Sequence, residues 1–211
     1  MICKELIEFI EKNVLPEYEK NESGHGLEHI QYVIKRSLEF AKQVPNVYLD
    51  IIYAVACYHD IGHHIDAKNH EKVSAEIFKN DKNMKNFFTD EEIDIIYEAI
   101  QDHRASGDSE PRSVYGKIVS SADRRTNIDD IMKTMYTYRL KHSPHFTIEE
   151  NIEEAYQQLC RKFAYGGYAT TKMYFKDVDY ENLIEKAEWF KNNKAEFIKS
   201  YCKLNKLNLN L

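Results

Sequence analysis

Ile51-Ile52-Tyr53-Ala54-Val55-Ala56-Cys57-Tyr58-His59-Asp60-Ile61-Gly62 is the stretch on which the fold turns. It opens on an unbroken apolar run without a turn former, which predicts a buried helix reaching about Asp60. The helix ends in an imidazole beside a carboxylate, then Ile61 and Gly62, a glycine that can stop it. A His and an Asp at the end of the most buried element are costly unless they are paired or bound to something. A cation shared by neighbouring nitrogen and oxygen donors offsets that cost, so the stretch points to a metal ion.

The flanking sequence repeats the helical period. Ile2, Leu6, Ile10 and Val14 make a helix face over 2–15, which Pro16 ends. After the polar loop 21–26, a helix over about 27–43 carries Ile30, Val33, Ile34, Leu38 and Ala41 on one side, with His29 beside that stripe near its N-terminal end. Residues 61–69 read as a polar loop and a helix resumes near His70. Thr89 with Glu92, and Thr147 with Glu150, are capping boxes that open two more helices. The first carries Ile93, Ile96, Ile100 and then His103 on one face. Helices are also predicted over about 114–124 and 129–140, and one long helix over about 182–201. Loops are predicted at 107–111 and 142–146, and the tail after Tyr201 reads as frayed. Tyr168 to Phe175 has strand-like residues with nothing evident to pair with. The scarcity of glycine (7) and proline (4) in 211 residues agrees with an all-α fold. No repeat or linker divides the chain, which predicts one domain over 1–211, with a core at about 25–125 and a helical C-terminal extension over 126–211.

The totals narrow the function. At 43% apolar and 30% charged residues the chain is globular rather than disordered. A formal charge of −6 without a basic stripe argues against nucleic acid as partner. The longest apolar run is too short to span a bilayer, and no secretory leader is visible, so no membrane partner is expected. Cys3, Cys57, Cys160 and Cys202 are far apart, which suits free thiols in a reducing cytoplasm.

His29, His59, Asp60 and Asp123 come from three predicted helices and make a mixed nitrogen and oxygen donor set. Such a set suits Mn²⁺, Fe²⁺, Ni²⁺, Mg²⁺ or Zn²⁺ rather than a thiolate-loving metal. The bland alternative is a buried hydrogen-bonded polar cluster. Arg124 and Arg125 follow Asp123, where a guanidinium can bind a substrate phosphate, or equally complete a helix C-terminus. Lys117 is assigned no role. His25, His142 and His145 read as structural or exposed, and His64 as a surface residue.

The order Gly26-Leu27-Glu28-His29, His59-Asp60-Ile61-Gly62 and Ala122-Asp123 resembles the HD-domain metal-dependent phosphohydrolases, over about His25 to Arg125. The resemblance implies an all-α helical bundle and a divalent metal held by His29, His59, Asp60 and Asp123. It implies hydrolysis of a phosphoester or phosphoanhydride, often in a nucleotide. His63, following the pair, is similar to a histidine that assists catalysis in the deoxynucleoside triphosphate branch, although no Pro-Phe follows it. His70-Glu71-Lys72-Val73-Ser74 and Gln101-Asp102-His103 resemble later family stretches whose histidines, His70 and His103 here, bind a second metal or the substrate in some branches. His63 and His70 are thus the candidate catalytic helpers. The chain's size, and Gly167-Tyr168-Ala169 with Met173-Tyr174-Phe175, look more like the small single-domain bacterial members, and the Gly-Tyr-Pro signature of the cyclic-dinucleotide branch is lacking. The expectation is a phosphohydrolase acting on a small phosphorylated molecule, a nucleotide by resemblance. Its rivals are a phosphatase or phosphodiesterase acting on a nucleoside monophosphate or another small phosphoester, and a non-catalytic metal- or nucleotide-binding sensor.

Overall fold

The computed structural model describes residues 1–22, 24–104, 109–171 and 173–208, and shows helices without a strand among them. The chain is all-α. Its contacts divide it into two compact units, Met1–Arg124 and Arg125–Leu211.

The first unit is built from α1 (Lys4–Asn13), a 3₁₀ turn (Leu15–Lys20), α2 (Leu27–Ala41), α3 (Leu49–Tyr58), α4 (His70–Asn80), a 3₁₀ turn (Lys82–Asn86), α5 (Asp90–Asp102) and α6 (Val114–Ala122). Pro16 sits in the first turn of the 3₁₀ segment, where its missing N–H leaves no bond unmade. The apolar run forms α3, buried at every residue from Ile51 to Tyr58. Helices α2, α5 and α6 pack around it, which explains the absence of a polar face. Burial continues past the helix end: His59 and Asp60 are 0% and 1% exposed. The capping box at Thr89 forms as expected, with Glu92 N–H on the Thr89 hydroxyl and Thr89 N–H on the Glu92 carboxylate.

The second unit contains α7 (Ile128–His142), α8 (Ile148–Phe163), α9 (Tyr168–Thr171), α10 (Val178–Asn192) and α11 (Lys194–Asn205). Its core includes Met132, Ala155, Leu159, Leu183, Phe190, Phe197 and Tyr201. Two expectations change here. Tyr168 to Thr171 is a single helical turn rather than a strand-like segment. The long last helix is two, because Asn193 leaves the helical region at φ −134 and ψ 61. Its side-chain amide donates to Trp189 O at 2.8 Å, a local bond that competes with helix continuation. The bend brings the Phe190 and Phe197 rings edge to face at 5.6 Å. Gly107 and Asp108 of the 107–111 loop, Lys172 of the 168–175 segment and residues 209–211 of the tail lie outside the described residues.

Candidate metal centre

Asp60 is the hub of the site, and its two oxygens face different histidines. Oδ2 lies 3.7 Å from His29 Nε2, 3.6 Å from His59 Nε2 and 2.7 Å from His25 Nδ1. Oδ1 lies 3.3 Å from His70 Nε2 and 3.4 Å from His103 Nε2. Asp123, the C-cap residue of α6, puts Oδ1 3.0 Å from His29 Nε2 and 3.7 Å from His59 Nε2. His29, His59, Asp60 and Asp123 thus offer four ligand atoms within 4.8 Å of one another, and Asp60, His70 and His103 offer a second such group.

Three of the histidines are set in the same way. His59 Nδ1 is 2.7 Å from Ala56 O, His70 Nδ1 3.0 Å from Ala67 O, and His103 Nδ1 2.6 Å from Ile100 O. In each, the ring sits at a helix end and turns back onto a carbonyl three residues earlier. Each Nδ1 is thereby engaged by the backbone and each Nε2 is turned into the cluster, the orientation a metal ligand requires, with His70 Nε2 and His103 Nε2 3.2 Å apart. His59 Nε2 and Asp60 Oδ1 are buried without a hydrogen-bond partner. Buried polar atoms are seldom left so, and a cation between them would satisfy both. The donor chemistry therefore fits a divalent ion.

The electrostatics agree. Burial disfavours ionisation of Asp60, yet His59, His103 and His25 outweigh it and hold the carboxyl well below its usual range. Asp123 is held low against its own burial by His29 and His59. Burial pulls His59 down, but Asp60 and Asp123 more than reverse this and raise it to about 9. The pocket keeps its carboxylates ionised and draws positive charge in.

His63 lies over His25, ring centroids 3.9 Å apart and nearly parallel, and 5.3 Å from His70. Burial, then His25, lowers it to about 4, so it is neutral at pH 7. Burial and then His103 also lower His70. Arg124 is buried at 8% exposure, and Arg125 donates to Thr134 Oγ1 at 2.9 Å. His64 is exposed, with its N–H on Asn21 Oδ1.

Several residues of the site carried no signal in the sequence. His25, read as structural or exposed, holds Asp60 Oδ2. The Tyr18 hydroxyl donates to Cys57 O at 2.9 Å and accepts the Asp60 N–H at 3.3 Å. The Asn21 amide donates to Asp60 O and His25 O at 3.0 and 2.9 Å. These bonds tie the 15–26 segment to the end of α3. Gly62 has a packing role as well: a Cβ there would lie 2.7 Å from Val73 Cγ1 and 2.9 Å from Ser74 N. Its N–H donates to Ser74 Oγ at 3.0 Å. The glycine lets α4, with His70 at its start, approach the His-Asp turn.

The first unit thus gathers histidines and carboxylates from several helix ends into groups that could hold a metal ion. The sequence model of the HD domain matches residues 26–128. The match identifies this stretch, just under half of the chain, as an HD domain. Among solved structures it is similar to the crystal structure of a predicted HD superfamily hydrolase from an uncultured Thermotogales bacterium. The two are 16% identical over 95% of this chain and 91% of that chain, with a TM-score of 0.49. No curated protein matches the sequence. Among the described residues, no helix is long and apolar enough to cross a membrane.

Proposed function

We propose that the protein is a metal-dependent phosphohydrolase that cleaves a phosphoester or phosphoanhydride of a small phosphorylated molecule, most plainly a nucleotide. The observation that carries this reading is the meeting of His29, His59, Asp60 and Asp123 around buried, unpartnered donor atoms. Those four residues would hold one divalent ion, and Asp60, His70 and His103 form a second group that could hold another. Bound there, a divalent cation supplies a water of lowered pKa and polarises a phosphoryl oxygen.

The remaining steps belong to the side chains. The carbonyls of Ala56, Ala67 and Ile100 orient the rings of His59, His70 and His103, so Nε2 of each is already turned toward the candidate metal site. His63, kept neutral by its burial beside His25, offers the site a hydrogen-bonding ring nitrogen and is a poor proton donor at pH 7. Arg124, which follows Asp123 at the end of α6, is the candidate ligand of the substrate phosphate.

Release of phosphate and pyrophosphate from a nucleotide panel with Mn²⁺ tests the proposal. Turnover by the wild type that disappears in a folded Asp123→Ala variant is expected. A wild type that binds metal but turns over no nucleotide or simple phosphoester contradicts the enzyme reading and favours the sensor.

A further inference from the structure

Arg36 lies on α2 two turns after His29 and is only 6% exposed. Residues 29, 32, 36 and 40 fall on one face of that helix. Arg36 uses that position to meet the C-terminal end of α6. Its Nη1 donates to the carbonyls of Ser121 and Ala122, both at 3.4 Å, and to the carbonyl of Arg124. The Tyr32 hydroxyl adds a bond to Arg124 O at 3.2 Å. The guanidinium is itself held over the Phe40 and Tyr32 rings, 5.0 and 5.7 Å from their centroids.

The carbonyls at a helix C-terminus have no partner within the helix and carry partial negative charge. A buried guanidinium answers both needs, and its planar, weakly hydrated head can stack on aromatic rings while it donates to the carbonyls. The residue between Ala122 and Arg124 is Asp123. Its backbone is therefore gripped on both sides by Arg36 while its side chain faces His29 Nε2 at 3.0 Å. One face of α2 thus supplies a candidate metal ligand and also fixes the backbone of the ligand opposite it.

We propose that Arg36 is the positioning residue of the metal centre, setting the Asp123 carboxylate relative to His29 through the α6 C-terminus without touching ion or substrate. This rests on the metal-centre reading above. The test is titration of metal-free protein with Co²⁺, following the visible absorption of the bound ion, for wild type, Arg36→Gln, Arg36→Lys and Phe78→Leu. Phe78 is fully buried in the same unit and serves as a control for lost stability alone. Affinity should fall about 10- to 100-fold in Arg36→Gln, as for residues that orient metal ligands. The Co²⁺ bands should shift, with a smaller loss in Arg36→Lys and none in Phe78→Leu at a comparable fall in Tm. Wild-type affinity and spectrum in Arg36→Gln would overturn the proposal, as would equal weakening in Phe78→Leu. Failure of both Arg36 variants to fold would also overturn it, since a local clamp predicts a folded protein with a displaced carboxylate. Absence of Co²⁺ binding by the wild type would instead overturn the metal-centre reading itself.

Discussion

Gly62 links the motif to the packing beneath it. A Cβ at this position would collide with the backbone N of Ser74 and with Val73, and a backbone atom within α4 cannot give way cheaply. Gly62→Ala should therefore destabilise the protein by about 1 to 3 kcal/mol in urea unfolding. Ser74→Ala leaves the Gly62 N–H buried without an acceptor and should cost about 1 to 3 kcal/mol. Because both changes strike one contact, the double variant should lose less than the sum, and strict additivity would show that the contact does not operate. Cys57 makes a separate case at the same scale. It is completely buried at the core of α3, and burial pushes its thiol far above the ordinary range. In native protein at pH 8 it should resist a thiol reagent that labels the partly exposed Cys3, and react only after unfolding. Labelling of Cys57 at the rate of Cys3 would contradict the buried α3.

Helix ends are where this chain concentrates its chemistry. His59 follows α3, His70 opens α4, His103 follows α5 and Asp123 caps α6. At an end, a ring can reach back to a carbonyl and still project its other nitrogen outward, which the middle of a helix does not allow. The capping box of α5 is the counterpart at the opposite end of the helix that leads to His103. Thr89→Ala should lower unfolding free energy by about 1 kcal/mol. No loss in a denaturant titration would mean that Glu92 alone sustains the helix start. Helix ends also mark what the sequence could reveal. Thr89 and Thr147 announce their helices through spacing with Glu92 and Glu150, and α3 through unbroken apolarity. The break at Asn193 was hidden because Phe190 and Phe197, seven residues apart, fit one continuous helical face. The edge-to-face contact of those rings favours the bend together with the Asn193 side-chain bond to Trp189 O.

At the scale of the molecule, the same division holds for the site. His29, His59, Asp60 and Asp123 were legible because unlike donors at buried helix ends have few other uses. His25, Tyr18, Asn21 and Arg36 were not, because each acts on a backbone or carboxylate from 35 to 88 residues away. Nothing local distinguishes Arg36 from a solvated helix arginine, and only folding buries it. If the centre holds an ion, folding and binding are linked. Mn²⁺ at about 100 times its dissociation constant should raise stability by about 2.7 kcal/mol, and a chelator should remove that gain. The measurement closest to the central claim is the metal content of purified protein after equilibrium dialysis against Mn²⁺, for wild type and for folded Asp123→Ala and Asp60→Asn variants. Stoichiometric metal in the wild type, with strong loss in both variants, is the result predicted. A wild type that retains no metal, or variants that retain it in full, would contradict the assignment of His29, His59, Asp60 and Asp123 as a metal centre.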